Sequence, residues 1–545
     1  MEEFTEKERE ILKPFFTNLD KPVFVLLNLP EVVKGALFSR YSRTSKSLRR
    51  VLLDEFIQNP EIGFNEIVKL QMKSGLSEII ATKKAEEFYD RVLVGFGDDS
   101  VAELAGVHIA CENISQLIAA KEIEDCRIGL SPLEKSTRYV RFDDKVDGKY
   151  KYYRDPDIAS SKFDSLYEET MDFIFDSYSE MIEPMMEFVS KKFPKQDDIT
   201  ERAYESTIRA KACDVLRQML PVSTLTNVGI FGNGRAFEYM LTKMYSSPLA
   251  EVRDLAQSIH EELNKVIPSF VKRATNERGI VTQNYIKETK KAMFDLVNQM
   301  KLIGKIKKTD LSIDVKLIDF DKDAEVKVVA AMIYPYSNLP LEKLRNKVRR
   351  MTPEERRRII KEYSSRRSNR HHKLGRAFEN TFYTFDILAP IGSFKDLERH
   401  RILTQERQLY TTYYGYDTPK EIIEAGFEKK YRKTMDAASV AFKKISKLFP
   451  FQSQYVVPIG YKMRWYFKMN LREVCHLTEL RSGVQGHTYY RKIAQMIANE
   501  VKKVHPNLAE EATKFVDMKE YDLERLEAEK RIDKKMKEVE EKYGK

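Results

Sequence analysis

Apolar residues recur along much of the chain at intervals of three and four, the spacing of a helix buried on one face. This periodicity is clear from Val281 to Ile303 and from Phe394 to Arg401. Between such stretches lie short runs of β-branched and aromatic residues. Val315 to Phe320, Lys327 to Tyr334 and Phe382 to Ile387 all read as strands. Thr352 followed by Pro353, Glu354 and Glu355 predicts a helix start, with threonine as cap, proline in the first turn and the glutamates facing the helix dipole. The most apolar stretch, Val23 to Leu29, is only strand-sized, so no membrane-spanning helix is expected. Residues 509–545 are charge-rich, with Phe515, Met518, Leu526, Ile532, Met536 and Val539 spaced for an imperfectly amphipathic helix across the outside. The pattern predicts an α+β fold with substantial helix in both halves.

The chain also repeats itself. Arg217 to Pro221 is followed twelve residues later by Asn233, Gly234 and Arg235; Gln454 to Pro458 is followed twelve residues later by Asn470, Leu471 and Arg472. Each segment then runs through an amphipathic stretch to a similar ending, Asn264 to Pro268 and Lys502 to Pro506. Three correspondences in one order imply two tandem copies of one domain. The copies are assigned to residues 1–280 and 312–508, joined by a helical linker at 281–311 whose 305–310 stretch reads as an exposed joint, and followed by a charged helical tail at 509–545.

Composition alters this picture only locally. The 545 residues are 42% hydrophobic and 33% charged, a globular balance. Of the net charge of +10, nearly all arises between Arg345 and Lys373, where twelve Lys or Arg face three Glu. That predicts one cationic helix and loop rather than a basic surface. Cys111, Cys126, Cys213 and Cys475 are scattered, which fits reduced thiols and neither a zinc site nor a disulfide framework. His371 and His372 have no third ligand nearby in sequence, so no metal is expected there. The acidic start of the chain, with Glu2, Glu3 and Glu6, matches no targeting peptide, and the expected location is cytoplasmic.

Several motifs then point to a family. The second copy carries Glu379 before a β-rich run, then Arg399, His400 and Arg401, then Asn470 with Arg472 and Leu480 with Arg481. The first carries Glu134, Ser136 and Arg138 ahead of Tyr139, the run Asp99 to Glu103, and Arg217 before Leu220 and Pro221. Together these resemble the flavin-dependent thymidylate synthases, whose signature is Arg-His-Arg, seven residues, Ser, one residue, Arg. Each copy keeps part of it. Around the corresponding position the first copy has Cys126, Arg127 and Ile128 instead of Arg-His-Arg, and Met244 in place of the Leu-Arg arginine. The second has Leu409 and Thr411 where the serine and arginine belong, and Gln454 opposite Arg217.

The losses are complementary. The resemblance implies one composite site per pair of copies, with FAD as cofactor and NADPH and methylenetetrahydrofolate as co-substrates, methylating dUMP at C5. It implies substrate binding by Glu134, Ser136, Arg138, Arg217 and Arg481, with Arg481 and Ser136 in catalysis, Arg481 by polarising the uracil carbonyl. Glu134, Ser136 and Arg138, two residues apart, are expected on one side of an extended segment. Arg399, His400, Arg401, Glu379, Asn470 and His476 are the implied flavin contacts, although Glu379 equally suits a pair with Arg376. Arg399 to Arg401 are placed at the end of their helix, where cations also suit the dipole. A homodimer of double-length chains is the expected assembly. Asp396 stands where the family often has Gln, Asn380 where it has His, and the stretch Thr404 to Arg407 also departs from the family pattern. Two other readings stay open: a nucleic-acid-binding or -modifying protein using the basic segment at 345–373, and a catalytically inactive nucleotide-binding scaffold.

Overall fold

The computed structural model describes residues 3–58, 101–126, 128–302, 304, 306 and 312–544. The chain forms two compact units, Met1–Glu134 with Thr226–Ile303, and Lys135–Leu225 with Gly304–Lys545. These units and the two copies read at 1–280 and 312–508 are different divisions of the chain. Asp99 and Ser100, Arg127 and most of the joint at 305–310 lie outside the described residues.

The first unit holds a three-stranded sheet of β1 (Gly106–Ser115), β2 (Leu130–Glu134) and β3 (Leu225–Asn233), in the order β1-β3-β2. β2 and β3 are antiparallel, from Leu130 opposite Gly232 to Glu134 opposite Val228. Along β3, Thr226, Val228, Ile230 and Gly232 are buried while the residues between them are exposed, the alternation of a strand with one covered face. Asn233 then caps the helix Gly234–Tyr245 by accepting from the Ala236 N–H. That helix buries Phe237, Met240, Leu241 and Met244 as one stripe. The helix expected from Val281 is present as Glu277–Gln299.

The second unit is organised by a four-stranded antiparallel sheet. Its strands are β4 (Asp314–Phe320), β5 (Phe382–Pro390), β6 (Leu403–Arg407) and β7 (Lys462–Asn470), in the order β4-β5-β7-β6. The central pair runs from Phe382 opposite Asn470 to Pro390 opposite Lys462. Helices of this unit include α1 (Asp164–Lys192), α2 (Glu201–Leu216), α3 (Ala324–Ile333), α4 (Pro353–Ser364), α5 (Ile391–Leu397), α6 (Glu428–Ile445), α7 (Leu471–Arg481), α8 (Thr488–Val504) and α9 (Leu526–Tyr543). β7 ends in Asn470, which caps α7 by accepting from the Glu473 N–H, as Asn233 does in the other copy.

The duplicated words meet within this unit. Arg217–Met219 and Gln452–Val456 each form a 3₁₀ turn ahead of their proline. The Val222 N–H donates to the Val457 carbonyl, and the Ile459 N–H donates to the Leu220 carbonyl. In the repeat alignment Val222 corresponds to Ile459 and Leu220 to Val457, so these bonds are reciprocal. Such exchange is what a two-fold relation between like segments produces.

Three local expectations are corrected. Lys327 to Ile333 is helical within α3 and Tyr334 opens a 3₁₀ turn, because Val326, Val328, Val329, Ala330 and Met332 are all buried, and short fully apolar runs do not separate strand from helix. α5 stops at Leu397, so Arg399 to Arg401 lie beyond the helix rather than in its last turn. The tail is not one helix: Pro506–Ala512 and α9 flank an irregular strap. There side chains replace helical partners, with Phe515 N–H donating to Glu479 and Asp517 N–H to the Ser482 hydroxyl. The β-rich runs at Val315 and Phe382 and the capped start at Thr352 are present, the last with a full Thr352–Glu355 capping box.

Phe467 is fully buried in the central strand β7. Phe467→Ala is expected to cost about 3–5 kcal/mol, as large-to-small changes in packed cores do. Chemical denaturation of the full chain checks this, and a loss under about 1 kcal/mol would show that β7 does not carry the core.

Candidate functional site

Two arginines named from sequence, Arg138 and Arg217, converge on carboxylates within the second unit. On α2, Asp214 sits one turn before Arg217, the spacing at which helical side chains meet. Arg138 grips Asp214 with both prongs, Nε to Oδ1 at 2.9 Å and Nη2 to Oδ2 at 3.0 Å. Arg217 reaches Asp214 at 3.2 Å and, through Nη2, Asp396 on α5 at 3.1 Å. Arg138 Nη1 also donates to the Gln485 carbonyl at 3.0 Å and the Tyr490 hydroxyl at 3.3 Å. The Tyr490 ring lies 5.9 Å from the guanidinium carbons of both Arg138 and Arg481.

Electrostatics follow from this geometry. Burial pushes the Asp396 carboxyl up, but Arg217, Arg138, Arg399 and Arg481 outweigh it and bring it down to about 2. Burial likewise opposes ionisation of Asp214, yet Arg138, His487 and Arg217 hold it well below the usual carboxylate range. Both are anions at neutral pH. Asp396 therefore lies in the field of arginines from both sequence halves, with Arg217 in direct contact.

Beyond α5 the chain turns back beside the start of α7. His400 Nδ1 lies 2.6 Å from Glu473 Oε1, and Arg481 Nε donates to His400 Nε2 at 3.0 Å. Since Nε2 accepts, the ring proton sits on Nδ1 and is given to Glu473. Burial, against the Glu473 hydrogen bond and with the Arg481 charge, lowers the His400 pKa to about 4, so the imidazole is neutral. His476 approaches Glu473 at 3.5 Å, and the two imidazole rings are 5.1 Å apart. His400, Glu473 and His476 thus place ligand-type atoms within 4.8 Å of one another. The Arg481 cation on His400 works against a metal ion there. Among the described residues nothing accepts from the two terminal nitrogens of Arg481, which leaves its fork for a ligand.

A cavity of about 160 Å³ opens beside this cluster, lined by Glu379, Asn470, Arg472 and His476 together with Arg370 and Lys373 from the basic segment. Arg472 donates to Glu379 at 3.1 Å, and Glu379 also pairs with Arg376 at 3.1 Å. Arg370 and Lys373 have no carboxylate within salt-bridge distance among the described residues. Leu374, Ile402 and Leu480 supply apolar wall. Cys475 lines the same cavity, but burial pushes its thiol up to about 12, which removes it as a nucleophile at neutral pH.

Other expected residues are placed differently. Arg399 and Arg401 are exposed, and Glu134 ends β2 in the first unit. The extended segment foreseen for Glu134, Ser136 and Arg138 is not formed, because the chain turns at Thr137 to Tyr139. Consequently Thr137, not Ser136, accepts from Arg217 (Nη1, 3.4 Å), and the Ser136 hydroxyl accepts from the Arg138 N–H at 3.2 Å. Gln454, the counterpart of Arg217, accepts from the Tyr410 N–H at 3.0 Å and has become a structural side chain. Asp214, His487 and Tyr490 were not anticipated. Only Asp214 left a signal, its three-residue spacing from Arg217.

The family model described as thymidylate synthase complementing protein matches residues 52–269 and again 316–507. The chain belongs to this family. The two separate matches fall one on each copy read from the sequence. A UPF0159 protein of Chlamydia pneumoniae is 44% identical over 534 residues, covering 97% of this chain and 98% of that one. One from Thermoplasma acidophilum is 33% identical over 524 residues, covering 91% and 98%. A flavin-dependent thymidylate synthase of Sulfolobus acidocaldarius is 30% identical over 146 residues, 25% of this chain and 56% of that one. Among solved structures, the UMP/dUMP methylase PolB from Streptomyces cacaoi, bound with 5-Br dUMP, covers 38% of this chain and 96% of its own at 17% identity and a TM-score of 0.30.

A prediction follows from the buried imidazoles. Burial, with Asp214 opposing and Arg217 and Arg138 assisting, lowers the His487 pKa to about 4, as for His400. In the unfolded chain both protonate near 6.5. Between these values the unfolded state binds more protons, so the stability they contribute is complete above about pH 6.5 and is lost as pH falls towards 4, at up to about 2.7 kcal/mol per pH unit for the pair. Denaturation at pH 7, 6 and 5 reads this slope. A double variant, His400→Asn with His487→Gln, should flatten it; an unchanged slope would refute the assignment.

Proposed function

We propose that the chain is a flavin-dependent, thymidylate synthase-like enzyme that methylates a uracil ring, the reaction that the resemblance gives as dUMP to dTMP. The observation that carries this reading is Asp396, which lies under the combined field of Arg138 and Arg217 from one sequence half and Arg399 and Arg481 from the other. A composite site of this kind is what the complementary motif losses call for.

The donor set beside His476 suits the cofactor. Arg370, Lys373 and Arg472 offer charge-assisted donors for a pyrophosphate, Asn470 an amide, and Leu374, Ile402 and Leu480 apolar surface for a planar ring. At about 160 Å³ the cavity encloses one part of such a molecule, since whole-ligand pockets run to roughly 300–1,000 Å³. When bound, FAD supplies hydride transfer, drawn from NADPH, and methylenetetrahydrofolate supplies the one-carbon unit.

The chain's own residues supply position and charge. Glu473 fixes His400 in its Nδ1–H tautomer, and His400 in turn holds Arg481 Nε. With Nε tied, the terminal nitrogens of Arg481 are oriented as a fork whose charge can meet the negative charge that develops on a uracil carbonyl oxygen. Burial draws the Arg481 pKa down from its usual value, a mark of low local dielectric, where such stabilisation is strongest. The protonated Cys475 thiol leaves covalent attack by that cysteine unsupported.

Two measurements test the reading. The purified chain should bind FAD with a visible flavin absorbance at about one per chain. With methylenetetrahydrofolate and NADPH it should methylate dUMP or deoxyuridine. Arg481→Ala should lower turnover by about 10²–10³, the usual loss for one preorganised donor, with flavin content unchanged. A colourless protein that takes up no FAD, or an Arg481→Ala variant with full activity, would overturn it.

A further inference from the structure

A second cavity of this unit, about 570 Å³, shares no lining residue with the one beside His476. Its walls are the end of α2, the turn at Thr418 and Pro419, the first half of α8 and the strap ahead of α9. Its volume falls within the roughly 300–1,000 Å³ of small-molecule sites. Two buried polar groups on its wall lack a partner. Gln218 is 2% exposed, and one end of its amide meets His487 Nε2 at 3.2 Å. The other end is buried with no hydrogen-bond partner among the described residues, and so is the Thr418 hydroxyl. Turning the amide over exchanges its oxygen and nitrogen but still leaves one end unpaired. Unpaired buried groups are costly, and a ligand in the cavity can supply the missing partners.

The same walls do not favour a strongly charged ligand. Among the lining residues five cations balance five carboxylates, and the inner cations are already matched. Lys211 Nζ lies 3.0 Å from Glu421 and 3.2 Å from Glu524, and Arg491 donates to the Ser482 and Lys519 carbonyls at 2.8 Å. Tyr489 and Tyr521 put aromatic rings on the wall, and Met496 and Met518 add adaptable apolar surface. A fitting ligand is planar and uncharged, with a ring amide whose N–H and C=O can meet either end of Gln218, and hydroxyls for Thr418. We propose that this cavity is a second binding site, which takes an uncharged nucleoside whose base carries a ring amide. The site is separate from the cavity beside His476 and does not depend on the methylating reading.

The test is equilibrium dialysis of the full chain against inosine, with inosine 5′-monophosphate as the charged comparison. Inosine carries a ring amide and is not a uracil, so a uracil-methylating site does not compete for it. It should bind with a Kd below about 1 mM, and more tightly than its monophosphate. Thr418→Val and Gln218→Leu should each weaken inosine binding by about threefold or more, and Arg481→Ala should leave it unchanged. Absence of binding in that range, a monophosphate that binds more tightly, or a smaller loss in either folded cavity variant overturns the inference. So does a loss in Arg481→Ala, which would place inosine at the other site. If Gln218→Leu fails to fold, Thr418→Val, at a half-buried side chain, decides alone. A chain that binds inosine in this way but takes up no FAD keeps the second site and loses the functional reading.

Discussion

A guanidinium cannot be taken out of water unpaired, and this constraint shapes the second unit. Arg138 and Arg217 are almost wholly buried, so each needs an anion at contact. Asp214 meets both, and Asp396 meets Arg217. These four side chains come from three remote stretches: the loop after β2, the end of α2 with its 3₁₀ turn, and α5. Their pairing gives a physical reason why Lys135–Leu225 is built into the same compact unit as Gly304–Lys545. Removing Asp214 would take the paired carboxylate from buried Arg138, which costs far more than an exposed pair contributes.

The duplication explains how one half of each motif set could be lost. Val222 to Val457 and Ile459 to Leu220 are reciprocal backbone bonds, so equivalent turns of the two copies lie against each other in one unit. Arg217 and Gln454 occupy equivalent places there and have diverged, one into the ion-pair array and the other into a bond with the Tyr410 backbone. In the same way Asn233 and Asn470 keep an identical capping job, because every strand-to-helix junction must satisfy the first N–H groups of its helix. Local backbone needs preserved what the two copies share, and the site diverged where only one copy supplies each group.

Sequence showed the elements better than the contacts. The strands at Val315 and Phe382 and the capped helix at Thr352 were legible because each is written in adjacent residues. Lys327 to Tyr334 was not, since a buried apolar run looks the same as strand or helix. Arg399 to Arg401, Arg481, Arg138 and Arg217 are named from motif spacing; of these, Arg138 and Arg217 share Asp214, and Arg217 also reaches Asp396. What sequence could not show is that the anion waiting for Arg217 is Asp396, 179 residues away. Read as an isolated departure, Asp396 is an unhelpful charge. In the fold it is the group that makes burial of Arg217 tolerable, and no local pattern encodes a partner at that distance.

The basic segment at 345–373 resolves in a similar way. As a string of cations it suits a nucleic-acid surface, whose affinity comes from unneutralised Lys and Arg. In the fold, Arg349, Arg356, Arg357, Lys361, Arg366 and Arg367 each lie within salt-bridge distance of a carboxylate, from Asp323, Glu325, Glu362, Glu479 or Glu510. Half of the segment's cations therefore already face a carboxylate. Arg370 and Lys373 are not paired in this way, and both line the cavity that also holds Asn470, Arg472 and His476. Those two cations, gathered with Arg472 on one cavity, suit a small anionic ligand.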